Sequence, residues 1–212
     1  MNNVNYYKKM EEQIGKLVGE EKKKKLLLHC CCAPCSSHCL EILSRYFDIT
    51  AYFYNPNITN VEEYRKRWNE LKRFVKEVYN EDGVVTYLEE QESEAFLDMA
   101  KGMEQEPERG KRCYACYRLR MRKSAAFAAE HGFDYFTTTL SISPHKNADW
   151  INEIGEEMSE SFKIPFLYSD FKKKNGYKRS IELSKEYHLY RQNFCGCEFS
   201  RRAAEQTEHV CK

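Results

Sequence analysis

Ten of the 212 residues are cysteine, and five of them fall in one run, His29-Cys30-Cys31-Cys32-Ala33-Pro34-Cys35-Ser36-Ser37-His38-Cys39. Two further groups follow, Cys113-x-x-Cys116 and Cys195-Gly196-Cys197. Soft thiolates in such numbers suit zinc or an iron–sulfur cluster. Cys113 and Cys116 sit at the start of a predicted helix, so their sulfurs share one side. A helix N-terminus also favours the thiolate. Gly196 lets the chain turn both of its flanking sulfurs toward one centre. A structural zinc site uses four ligands and so does a four-iron cluster. Seven or more converging thiols therefore suggest a cluster with a second metal, or a cluster with a redox thiol pair. Cys39 falls inside a predicted helix as a packed thiol, and Cys211, near the chain's end, reads as a bystander.

The elements that must position these thiols follow from periodicity. Residues 1–25 are polar, end in Lys22-Lys23-Lys24-Lys25, and read as a basic helical extension. Residues 26–212 read as a single α/β domain. Leu26–His29 is a buried strand feeding the cysteine run, and Ser36 or Ser37 can cap a helix to about Arg45. Ile49–Tyr54 is a second strand ending at the turn Asn55-Pro56-Asn57. Val61, Tyr64, Trp68, Leu71, Val75 and Val78 recur at steps of three and four, a helical stripe. Strand Val84–Leu88, helix Glu92–Lys101, helix Cys113–His131, strand Tyr135–Leu140, helix Ala148–Ser161, strand Ile164–Tyr168 and helix Tyr177–Tyr190 follow. This alternation predicts a Rossmann-like parallel sheet of the nucleotide alpha-hydrolase-like kind, with a C-terminal helical, cysteine-bearing segment. Ligands of such sheets sit beyond the carboxyl ends of the strands, where the cysteine run, Asn55-Pro56-Asn57 and the loop Ser141–Asn147 would meet.

No run of about 18 apolar residues marks a membrane span, and the start of the chain has no secretory signal pattern. A cytoplasmic location is expected, where ten cysteines favour metal ligation over disulfides. Net charge is only +1. From Arg109 to Lys123, however, seven basic residues stand without an acidic one, with Tyr114 and Tyr117 interleaved. Arg118 and Arg122 in that strip, with Lys172-Lys173-Lys174 and Lys178-Arg179 as an extension, suit phosphate binding and stacking on unpaired bases.

At these motifs the sequence resembles the cobalamin-independent epoxyqueuosine reductases. The matching segments are His29–Cys35, Tyr52-Phe53-Tyr54-Asn55-Pro56-Asn57-Ile58, Arg112-Cys113-Tyr114-Ala115-Cys116-Tyr117-Arg118, Thr137–Asn147 and Tyr190–Cys197, in the expected order across about residues 26–200. The resemblance implies an oxidoreductase that reduces the epoxide of epoxyqueuosine to the alkene of queuosine at the wobble position of tRNA. It implies a 4Fe-4S cluster with an additional iron nearby. Cys31, Cys32, Cys113 and Cys116 look like the cluster set, and Cys35, Cys195 and Cys197 the ligands around the extra iron. Cys30 varies among such proteins and is left out. The partners implied are tRNA carrying epoxyqueuosine and an unidentified electron donor. An iron with an open position can act as a Lewis acid on the epoxide oxygen, and a cluster can relay single electrons. On the loop after the fourth strand, His145 or Lys146 could supply a proton or a charge-assisted hydrogen bond. Tyr54, Asn55 and Asn57 could orient the base or the cyclopentane ring.

Other readings compete. A zinc-stabilised RNA-binding module would pair Cys113 and Cys116 with Cys195 and Cys197. An ATP-dependent tRNA sulfurtransferase-like enzyme would need a Ser-Gly-Gly-x-Asp phosphate loop after the first strand, where Cys31-Cys32-Ala33-Pro34-Cys35 stands. Radical S-adenosylmethionine chemistry would need C-x-x-x-C-x-x-C, which Cys31-x-x-x-Cys35-x-x-x-Cys39 does not give.

Overall fold

The computed structural model describes residues 4–80 and 82–210. Four strands, β1 (Lys24–His29), β2 (Phe47–Phe53), β3 (Val84–Leu88) and β4 (Tyr135–Thr138), form one all-parallel sheet in the order β3-β2-β1-β4. The helices are α1 (Tyr6–Gly15), α2 (Ala33–Leu43), α3 (Val61–Tyr79), α4 (Ser93–Ala100), α5 (Lys111–Glu130), α6 (Ala148–Phe162), α7 (Gly176–Glu186) and α8 (Glu198–Val210). The α/β class and parallel sheet match the expectation from the alternating pattern. No described helix is long and apolar enough to cross a membrane.

Side-chain alternation sorts β1 between two cores. Leu26, Leu28 and Cys30 join Ile49, Ala51, Phe53 and Val84 in one, together with Met10 and Ile14 of α1 and the apolar faces of α2 and α3. Leu27 and Cys31 join Tyr52, Tyr54 and Phe136 in the other, beneath α5 and α6. Leu26, Leu27 and Leu28 are fully buried, and each contributes on the order of 1.5–3 kcal/mol. Of the predicted stripe on α3, Tyr64, Leu71 and Val75 are buried, while Val61 in the first turn is exposed. Asn60 caps that helix by accepting from the Glu63 amide at 2.8 Å.

From β1 the chain builds outward through β2 to β3, then crosses to place β4 on the other side of β1. The order therefore reverses between β1 and β4, and the crevice beyond their carboxyl ends is where such sheets bind ligands. The β1–α2 junction and the segment after β4 both open there.

Four local expectations change. Helix α2 starts at Ala33 rather than at a Ser36 or Ser37 cap, because Pro34 fits the first turn, where no amide donor is needed. Strand β4 stops at Thr138, whose hydroxyl accepts from the Leu140 amide and starts a 3-10 turn over Thr139–Ile142. The predicted strand Ile164–Tyr168 is only a single bridge, Phe136 to Phe166. Pro165 has no amide to donate, and the side chains of Gln13 and Thr137 take the next backbone groups. Helix α7 ends at Glu186, short of Tyr190, and His188 has a φ of 50°.

Candidate metal centre

The sharp turn from β1 into α2 sets the first thiols. Cys32 is the extended residue preceding α2, and Cys35 lies in its first turn, so the Sγ atoms of Cys31, Cys32 and Cys35 lie within 4.8 Å of one another. Hydrogen bonds from the Cys32 and Cys35 thiols pull Cys31 well below the usual thiol range, against the effect of burial. The same bonds push Cys35 well above that range, and Cys32 is pushed up to about 11. Burial and mutual hydrogen bonding thus favour the thiolate at Cys31 over its two neighbours, and a bound cation would draw protons from all three. Cys30 and Cys39 point elsewhere. Both are fully buried in the opposite core and donate to the carbonyl oxygens of Leu28 and Cys35 at 3.3 Å.

Four further thiols line one small cavity, together with Asn57. Cys113 and Cys116 come from the first turns of α5, and Cys195 and Cys197 from the segment before α8. Arg67 fixes that segment from α3. It is 1% exposed, pairs with Glu63 at 2.6 Å, and donates to the Cys195 carbonyl at 3.0 Å. Gly196 has a φ of 121°, and a Cβ there would lie 2.8 Å from Ile58 and 3.1 Å from Arg67 Nη1. Only glycine allows this approach.

The two thiol groups are neighbours. Cys195 lines both the small cavity and an open cleft of about 470 Å³, which Cys31, Cys35, His145, Lys146, Arg191 and Gln192 also line. Donors surround the sulfurs as they do around metal-bound thiolates. The Arg109 amide reaches Cys113 at 3.3 Å, Gln192 Nε2 reaches Cys32 at 3.1 Å, and the Ser200 amide reaches Cys197 at 3.4 Å. Thr139 donates to Cys31 at 3.7 Å. Burial lowers the Lys146 pKa, but the neighbouring sulfurs of Cys195, Cys31 and Cys35 outweigh it and raise it above its ordinary value. Two buried amide oxygens, Asn57 Oδ1 beside the small cavity and Gln192 Oε1 in the cleft, have no partner among the described residues. An all-sulfur donor set, donors aimed at it and orphaned oxygens beside it fit a metal centre.

A model of the family "Epoxyqueuosine reductase QueH" matches residues 26–203, the stretch that carries every one of these thiols. The chain belongs to that family. Epoxyqueuosine reductase QueH of Staphylococcus epidermidis is 44% identical over 201 residues, covering 93% of this chain and 84% of that one. The Streptococcus pyogenes relative of the same name is 41% identical, covering 93% and 78%. That of Thermotoga maritima is 35% identical, covering 78% and 86%.

The expected site residues other than the thiols fall into four places in this chain. His145 and Lys146 both line the cleft; His145 is exposed, and its Nδ1 accepts from Arg109 at 2.5 Å. Tyr54 and Asn55 lie beneath the thiols, engaged by protein. Tyr54 donates to Glu92 at 2.7 Å, and Asn55 donates to the Cys30 carbonyl at 2.9 Å and accepts from Arg120. Asn57 is buried against the four-thiol cavity. Arg118 and Arg122 are exposed one turn apart on α5, away from the cleft lining. The strip's missing carboxylates come from other elements: Glu157 of α6 pairs with Arg118, and Glu92 with Lys123 at 2.8 Å. The sulfurs of Cys31, Cys32 and Cys35 lie close together, Cys113, Cys116, Cys195 and Cys197 line one cavity, and Cys31, Cys35 and Cys195 share the cleft between them. Cys211 lies outside the described residues.

Sequence reading missed Arg67, Arg120 and Gln192. Arg67 had a signal, an arginine inside the apolar stripe of α3. Arg120 had one too, a basic residue one helical turn after Cys116. Gln192, in an irregular segment, had none.

Proposed function

We propose that this chain reduces epoxyqueuosine to queuosine in tRNA, at a centre of thiolate-bound iron. What supports the reading is the gathering of seven thiols at the strand-order switch of a chain in this family. The reaction consumes two electrons and two protons and releases the epoxide oxygen as water. A 4Fe-4S cluster with an additional iron would supply single electrons and Lewis acidity, held by Cys31, Cys32, Cys35, Cys113, Cys116, Cys195 and Cys197.

The protein's own groups do the rest. The cleft receives the modified base, and Lys146 lines it alongside Cys31, Cys35 and Cys195. Its charged ammonium donates to the epoxide oxygen as negative charge develops there. His145, with Nδ1 occupied by Arg109, lines the same cleft and serves as a second proton carrier through Nε2. Arg191 and the exposed face of α5 around Arg122 take the phosphates of the anticodon arm, and an external donor in the cytosol supplies the electrons. Anaerobically purified protein should be brown and hold about five irons per chain. With a low-potential reductant it should convert epoxyqueuosine-containing tRNA to the queuosine form. The four-thiol cavity also suits zinc, so colourless protein with one zinc per chain would favour the RNA-binding module, and ATP turnover the sulfurtransferase. Ala at Lys146, with iron content unchanged, should abolish most turnover; undiminished turnover would remove it from the mechanism.

A further inference from the structure

Arg120 carries a charge that the fold buries without a carboxylate. It is 1% exposed on α5, one turn beyond Cys116. Its Nη2 donates to Asn55 Oδ1 at 2.5 Å, and its Nε lies 3.3 Å from the His29 ring. Among the described residues no Asp or Glu oxygen lies within 4.0 Å of it. Arg67, equally buried, has Glu63, and buried Arg112 donates to the backbone carbonyls of Met103 and Glu104.

A buried cation is strongly disfavoured unless anions balance it. Asn55 offers only a dipole. His29 is held neutral, its pKa lowered to about 3 by burial and by Arg120 itself. Once a bound metal draws off their protons, the anions nearest to hand are sulfurs: Cys116 lies one turn before Arg120 on α5, and Cys31 lies two residues beyond the His29 ring that Arg120 touches. Through His29 at the end of β1 and Asn55 just beyond β2, the guanidinium reaches from α5 across the carboxyl ends of both strands, the edge on which the thiol segments open.

We propose that Arg120 is a positioning residue that balances the charge of both thiol groups and raises the reduction potential of the metal centre they hold. This rests on the iron reading above. A nearby fixed cation favours the more negative, reduced state of a cluster, and net charge and hydrogen bonds to the sulfurs are the levers that set its potential. The test is a redox titration followed by electron paramagnetic resonance, with iron and sulfide content measured alongside, on wild type, R120K, R120M and R120Q. At a fixed ambient potential, iron-loaded R120M or R120Q should show a reduced-to-oxidised ratio at least tenfold below wild type, or 59 mV for one electron. R120K should stay within about threefold of wild type. Unchanged ratios in a loaded neutral variant, or an R120K ratio as low as theirs, overturn the proposal. If neither neutral variant loads iron, loading of R120K alone supports the charge role, and failure of all three overturns it. Wild type without iron overturns the iron reading itself, and the inference with it.

Discussion

Arg67→Met should cost this protein much of its stability. The change keeps the apolar stem and removes the charge and the donors. Arg67 is 1% exposed, and Glu63, its partner at 2.6 Å, has a side chain 13% exposed. After the change Glu63 keeps only Tyr190, whose hydroxyl donates at 3.1 Å. The carbonyl of Cys195 loses its donor at 3.0 Å and that of Phe194 one at 3.4 Å. Breaking a buried pair from one side costs about 3–5 kcal/mol, because a charge stays buried alone. In a domain of this size that is roughly a 6–20 °C fall in melting temperature. The assay is urea and thermal unfolding of metal-free protein, with iron loading measured separately, since the clamp holds the Cys195–Cys197 segment. Adding Glu63→Gln should restore part of the loss, as it removes the stranded carboxylate. Stability within about 1 kcal/mol of wild type, with normal iron loading, would refute the reasoning.

Gly196→Ala puts a Cβ 2.8 Å from Ile58 at a φ of 121°, so it should lower stability by roughly 1–3 kcal/mol and cut the iron bound per chain; normal metal content would contradict this. Arg179 ties α7 to Glu41 of α2 through bonds of 2.6 and 3.1 Å, and these hold the Glu41 pKa below its ordinary value. A depressed carboxylate pKa stabilises the fold above the unfolded value, about 4.3, and that gain is lost as pH falls through the folded value. Glu41→Gln should therefore be less stable by about 0.5–1 kcal/mol at pH 7 and equal to wild type in strong acid; a pH-independent difference in urea midpoint would exclude the pair as its cause. Because Glu157 already pairs with Arg118, Arg122→Glu should weaken tRNA binding more than Arg118→Glu. Each lost phosphate contact lowers the slope of log affinity on log salt by roughly 0.7–0.9, and gel-shift titrations at several salt concentrations measure it. Equal effects would return Arg118 to the binding surface.

Local signals carried most of the fold. The apolar run Leu26-Leu27-Leu28, the β-branched and aromatic run Ile49–Phe53 and the stripe of α3 each declare an element within one short window, because periodicity is a local property. The cysteine spacings likewise declared metal chemistry, and the order of elements placed the thiols on one edge. Signals that depend on partners failed. Whether Ile164–Tyr168 forms a strand depends on Gln13, 155 residues from Tyr168 in sequence, taking its backbone donor. Whether the α5 strip is uncompensated depends on carboxylates from α6 and from the segment before α4.

What the sequence settled was therefore the cast: the thiols, their order, the strands that carry them and the family they mark. Tertiary structure decided the company each residue keeps. It set Cys35 with Cys31 and Cys32 and joined the first turns of α5 to the segment before α8. It also sealed Arg120 against Asn55 and His29, with no carboxylate in reach among the described residues. Burial and long-range pairing set those terms, since a charge or thiol acquires its energy from neighbours that only the folded chain supplies.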